Sequence, residues 1–187
     1  VIPTDAFDLA LLVGAKLGAA QVPYAIGGAL AYGQYGIPRA TNDVDINIFL
    51  EPSALGPALE VLRSAGLAFD SNAAIRDAMA TGMFEAHIGP FRLDVFTPSV
   101  AFSWEAERTR RTFKIDGHEV CFLSPESLCV FKLLFFRGKD LVDLERLVTV
   151  MGSALDTAYV RRHIVEMMGE EDPRTSAWDK LVRENMP

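Results

Sequence analysis

Histidine and cysteine are scarce in this chain, with three of the first and two of the second in 187 residues. His87, His118 and His163 are scattered with no partner at ligand spacing. Cys121 and Cys129 show neither zinc-site spacing nor a disulfide framework, so both are expected to be packing thiols in a reducing compartment. No apolar run approaches the ~20 residues that a membrane-spanning helix needs, which excludes that class of protein. No secretory leader pattern opens at Val1, and the expected location is the cytoplasm. Excess positive charge is also lacking. Eighteen Lys and Arg stand against 25 Asp and Glu, a net charge of -7, which argues against a non-specific nucleic-acid coat but leaves room for a local basic patch. The length suffices for a proper core, as one domain or as a core with a helical appendage.

What is present is concentrated between Ala25 and Leu50, AIGGALAYGQYGIPRATNDVDINIFL. The pattern predicts a short apolar strand over Tyr24 to Ile26, a Gly27-Gly28 turn and a helix from Ala29 to about Tyr35. A glycine-proline loop and a second strand from Asp43 through Phe49 follow. Residues two apart on a strand share a face, so Asp43 and Asp45 set two carboxylates side by side while Val44 points to the core. Like charges held that close call for a cation, and hard oxygen donors favour Mg²⁺. Gly27 and Gly28 allow close approach of the backbone to a ligand, and the following helix presents N–H groups to phosphate. Arg39 can pair with a triphosphate or brace the carboxylates. Thr41, two residues before Asp43, shares its face by alternation or bonds within the loop.

These residues resemble the nucleotidyltransferase superfamily that includes DNA polymerase beta, whose signature is a Gly-Gly or Gly-Ser turn, a helix and an Asp-x-Asp strand. Within it the chain is most similar to the AbiEii and MenT-type toxins of bacterial toxin–antitoxin pairs. The resemblance implies a transferase that moves a nucleotide to an acceptor, with the 3′ end of tRNA as the foremost expectation. It also implies a cognate antitoxin, which in MenT-like systems phosphorylates a residue at the position of Thr41 and would add negative charge where the nucleotide needs cations. The second motif position is Gly28 where family members often carry serine, so one hydroxyl contact to phosphate would come from elsewhere.

The remaining segments fit this frame. Phe7, Leu11, Leu12, Ala15 and Ala19 recur at helical spacing, with Thr4 as N-cap, and Leu55, Leu59 and Leu62 mark a second helix ending at Gly66. Ser71 to Thr81 lacks a firm period and reads as a short helix or a rim. Met83 to Ile88 and Phe91 to Phe96 form a hairpin-like pair around Gly89-Pro90. Asp94, between Leu93 and Val95, is costly to bury alone. It is the candidate third carboxylate of the metal site, the alternative being a structural pair with an arginine. Arg108, Arg110, Arg111 and Lys114 beside Phe102 and Trp104 offer an RNA contact or merely a solvated face. A further hairpin turns at Asp116-Gly117, and Ser124-Pro125 opens a helix carrying the lone cation Lys132. The run from Arg137 to Leu144 is similar to an AbiEii-type motif, in which Lys139 stabilises triphosphate charge with Lys132 or Arg137 as helper. Asp140 and Asp143 are open to a capping role or to a role at the nucleotide.

The expected architecture is α+β. A polymerase-beta-like nucleotidyltransferase core with a mixed sheet and flanking helices spans residues 1–122, and a C-terminal helical bundle spans 123–187, with the active site in the cleft between them. Asp43, Asp45 and Asp94 are expected to hold one or two Mg²⁺ ions and Asp43, Asp45, Asp94 and Lys139 to carry catalysis. Gly27, Gly28, Arg39, Thr41, Lys132, Arg137 and Asp140 are expected at the nucleoside triphosphate. Alternatives are an aminoglycoside-like small-molecule or protein acceptor, and an inactive module that only binds nucleotide.

Overall fold

A computed structural model gives the architecture and describes residues 3–38 and 40–186. The chain divides into two units, Val1–Ala31 with Arg39–Leu123, and Tyr32–Pro38 with Ser124–Pro187. The first holds the strands β1 (Tyr24–Ile26), β2 (Asp43–Ile48), β3 (Met83–Ile88), β4 (Phe91–Phe96), β5 (Arg111–Ile115) and β6 (His118–Phe122). They form one mixed sheet in the order β3-β4-β2-β1-β6-β5. β2 runs parallel to β4 and antiparallel to β1, while β1 is parallel to β6. The two hairpins β3–β4 and β5–β6 lie at opposite ends of that order.

Alternation along the strands assigns the two faces. Val44, Ile46 and Ile48 of β2 are fully buried and share a face with their register partners Leu93 and Val95 on β4, and through those with Phe84 and Ala86 on β3. Each of the larger side chains contributes about 1.5–3 kcal/mol by leaving water. Tyr24 and Ile26 join this face opposite Ile48 and Ile46. Helix α1 (Ala6–Ala19) packs against β1, β2 and β6: a Cβ on Gly14 would stand 2.9 Å from the Tyr24 hydroxyl, so the glycine lets the tyrosine ring lie against the helix.

The side of α1 that meets the sheet differs from the one the periodicity predicts. Leu9, Ala10, Val13 and Leu17 are buried, whereas Phe7 is 37% exposed and Ala19 is exposed. The helix is apolar nearly all round, so two stripes fit the same spacing and only the sheet selects one. Its N-cap is Asp5, which accepts from the Asp8 amide, and not Thr4. Helix α2 (Gly28–Gln34) follows the glycine turn, and α3 (Gly56–Ser64) buries Leu59 and Leu62 as expected. Ser71–Thr81 is a regular helix, α4, because Asp70 caps its start and Gly82, at φ +77°, ends it.

Phe102–Thr109, read from sequence only as a basic-aromatic run, is helix α5. Its Phe102 is 3% exposed, so that ring belongs to the core and not to a base-stacking surface. Arg108 pairs with Glu105, Arg110 with Glu107 at 3.6 Å, and Lys114 faces Glu119 across the β5–β6 ladder. Acidic neighbours thus dilute the patch.

The second unit is built from α6 (Pro125–Phe135), α7 (Gly138–Met151), α8 (Thr157–Met168) and α9 (Pro173–Asn185). Ser124 and Asp156 cap α6 and α8 through the amides of Ser127 and Tyr159. Arg174 donates to the Leu133 carbonyl at 3.1 Å, satisfying a backbone group that the end of α6 leaves open. Trp178, 1% exposed, donates from its indole to the Thr157 carbonyl at 3.1 Å and ties α9 to α8. No helix among the described residues is long and apolar enough to cross a membrane. Trp178→Ala leaves a large cavity and removes that tie, so a loss of about 3–5 kcal/mol is expected in urea unfolding followed by circular dichroism.

Candidate active site

The sheet face opposite α1 carries polar side chains in two rows. Parallel register sets Asp45 beside Asp94, and the antiparallel partner of Asp94 on the other side is Glu85. The neighbouring row is Asp43, Arg92 and His87. Three acids therefore stand abreast on three strands, with a fourth one row away. Mutual repulsion makes this face demand positive charge.

Arg92 supplies it. Its Nε lies 2.9 Å from Asp94 Oδ1, and its Nη2 lies 3.1 Å from both Asp94 Oδ2 and Asp43 Oδ2. The alternative reading of Asp94, as an acid paired to an arginine, is thus what its side chain does. Burial still pushes the Asp94 carboxyl above the usual carboxylate range, with Glu85 and Asp43 adding to the rise and Arg92 opposing it. The field of Asp94 foremost raises the Arg92 guanidinium in turn.

The glycine turn adjoins these acids. The Gly27 amide donates to the Asp45 carbonyl at 2.9 Å, pinning the turn to β2. Gly28 has φ +52°, and a Cβ placed there would fall 1.7 Å from Asp45 Oδ2. The absence of serine at this motif position follows: the Asp45 carboxylate takes the room that any side chain would use. Thr41 bonds locally, its hydroxyl donating to the Asp43 carbonyl at 2.9 Å and accepting from the Asp43 amide at 3.1 Å. That turn sets where β2 begins. Arg39 lies outside the described residues.

The remaining predicted residues belong to the second unit. Lys132 neither snorkels to water nor stands alone, because its ammonium is held by Asp140 at 2.9 Å and Asp143 at 2.8 Å, with the Tyr32 ring centroid 5.6 Å away. Asp140 is fully buried and sits in the first turn of α7, where it also accepts from the Arg137 amide at 3.1 Å and from Arg137 Nε at 2.7 Å. It is both a cap and an ion-pair centre. Burial pushes its carboxyl up, but hydrogen bonds from Arg137 and Lys132 outweigh that and hold it at about 2. Lys139 is exposed.

Whether Mg²⁺ suits the first unit turns on donors and arrangement. Asp43, Asp45 and Asp94 supply an all-oxygen set on adjacent strands, which fits a hard divalent ion. The carboxylates of Asp43 and Asp94 nonetheless converge on the guanidinium of Arg92. Among the described residues, no three ligand-type side chains are grouped to hold an ion. Donor chemistry fits, and side-chain placement is set by Arg92. Arg92 and Glu85 were missed as site residues, although alternation already put Arg92 on the face of Asp94.

No family model matches the chain, and no curated protein matches it. Solved structures do. The solution structure of the antibiotic-resistance factor ANT(2'')-Ia is similar with a TM-score of 0.59 and 16% identity, over 94% of this chain and 96% of that one. A crystal structure of ANT(2'')-Ia with adenylyl-2''-tobramycin gives a TM-score of 0.57 and 17% identity, over 84% and 99%. JHP933 from Helicobacter pylori gives 0.52 and 13%, over 98% and 94%.

Two measurements test the site as built. Gly28→Ser should lower stability by about 2–4 kcal/mol, from the left-handed backbone and the collision with Asp45, and Asp45→Ala in the same chain should recover part of it in a double-mutant cycle. Asp140 is lowered on folding, so its stabilisation is complete above the ordinary carboxylate value and is lost as pH falls toward about 2. That contribution is about 2 kcal/mol, and Asp140→Asn should flatten this part of the acid-unfolding profile. The mixed sheet with its glycine turn and acid strand, and the helices that follow, give this chain a nucleotidyltransferase-like fold.

Proposed function

We propose that the chain transfers a nucleoside monophosphate from a nucleoside triphosphate to an acceptor hydroxyl, with Mg²⁺. The supporting observation is the β2–β4 register, which sets Asp43, Asp45 and Asp94 on one face beside the Gly27-Gly28 turn. Asp43 and Asp45 would hold the metal with Asp94, and bound Mg²⁺ would neutralise phosphate charge and polarise the α-phosphoryl group. Asp94, beside Asp45 in the strand register, would help activate the acceptor hydroxyl. The acceptor oxygen then bonds to the α-phosphorus, the bond to the β-phosphate breaks, and pyrophosphate leaves. Within the second unit Lys139 is exposed, while Lys132 and Arg137 are both engaged with Asp140.

For the acceptor, the end-to-end likeness to ANT(2'')-Ia supports a small polyhydroxylated molecule. The internal pairing of Arg108 and Arg110 with acids supports the same choice over a long polyanion. A second reading keeps the tRNA 3′ end as acceptor and the chain as the toxin of a toxin–antitoxin pair. The Lys132–Asp140–Asp143 cluster, on the segment similar to the AbiEii-type motif, favours it. Thr41 would then be the residue that an antitoxin phosphorylates.

Incubation with labelled nucleoside triphosphates and separate pools of aminoglycoside, tRNA and protein distinguishes these acceptors. Label is expected in the aminoglycoside pool, and Asp43→Ala or Asp45→Ala should reduce it by about a hundredfold or more. Full labelling by either variant would refute the metal-dependent mechanism.

A further inference from the structure

Arg92 sits on the proposed metal-binding face as a built-in cation. Its Nη2 donates to Asp94 Oδ2 at 3.1 Å, and Nε lies 2.9 Å from Oδ1 as an ion-pair contact. The same Nη2 reaches Asp43 Oδ2 at 3.1 Å, so one guanidinium bridges carboxylates on two adjacent strands. A guanidinium cannot shed its charge near neutral pH. It therefore cannot share the space between Asp43 and Asp94 with a divalent ion except against strong repulsion. Its link to Asp43 is open to water, since the Arg92 side chain is 40% exposed and that of Asp43 is 50% exposed, and such a pair is weak. The Asp94 side chain is only 12% exposed, so Arg92 can leave it only where another cation takes its place.

We infer that Arg92 is a resident counter-ion that competes with divalent metal for Asp43 and Asp94 and must be displaced before the metal is held. The inference rests on the reading of Asp43, Asp45 and Asp94 as the metal set. It makes Arg92 a positioning residue with two states. In one it neutralises the acids and keeps the sheet face from repelling itself; in the other it is turned to solvent. Free metal alone has to work against the first state. A metal that arrives already bound to triphosphate brings further contacts to offset the displacement, so metal and nucleotide bind with positive coupling.

The test uses the full chain without nucleotide and follows free Mn²⁺ by electron paramagnetic resonance. Arg92→Gln should bind Mn²⁺ roughly tenfold more tightly than wild type, the scale of one charge–charge term at a half-exposed site. Adding Asp45→Asn to that variant should abolish the gain. Equal affinity in wild type and Arg92→Gln would overturn the competition while leaving the metal set intact. Absence of Mn²⁺ binding by any variant, even with a non-hydrolysable nucleoside triphosphate analogue, would overturn the metal reading itself. A second measurement needs no substitution. Phenylglyoxal labelling of Arg92 in the wild-type chain, read by peptide mass spectrometry, should rise several-fold when Mn²⁺ and the analogue are bound. Unchanged labelling with Mn²⁺ bound would show that Arg92 stays in place, and the inference would fail.

Discussion

Carboxylates crowded on one face of a sheet must be compensated, and much of the first unit can be understood from that need. The opposite face of the same strands is apolar and buried, so the backbone positions of Asp43, Asp45 and Asp94 are held by the burial of Val44, Ile46, Leu93 and Val95. Strand pairing leaves the acids no freedom to separate by shifting register, because a one-residue slip would send the apolar set to the wrong side. Only side-chain rotation and a neighbouring cation remain as relief. Arg92 meets the charge, and Gly28 makes room for Asp45.

The second unit solves a similar problem with the signs exchanged. Lys132 is one cation on a largely apolar helix, and α7 brings two acids to it. Burial alone would favour the neutral form of Asp140, yet the carboxyl is held ionised by Arg137 and Lys132. A buried network of this kind specifies one arrangement of α6 against α7 more than it adds net stability, since the desolvation of the charges offsets much of their attraction.

What the sequence disclosed depended on how far each signal reaches along the chain. Alternation within β2 is a local property, and it correctly put Asp43 and Asp45 together with Val44 behind them. The α+β class, the two hairpins and the capped start of α6 were equally legible, because turn and cap residues act within a few positions. The pairing of β2 with β4 is not local. Nothing in either segment states that Asp45 will stand beside Asp94, so the bridge from Arg92 to Asp43 was out of reach. Its contact with Asp94 was not, for two residues of one strand share a face. The buried side of α1 was misread because the helix has apolar residues on every side, and α5 was missed because its charges drew attention away from the helical spacing of Phe102 and Ala106.

The division of the chain into units has a consequence for how the protein is made. Tyr32–Pro38 clusters with Ser124–Pro187, yet it is translated between the two stretches that form the sheet-bearing unit. A ribosome releases this short segment long before the helices it clusters with exist. The sheet therefore has to assemble around a looped-out piece whose partners arrive last, and the C-terminal helices cannot complete their own core without reaching back to the early part of the nascent chain.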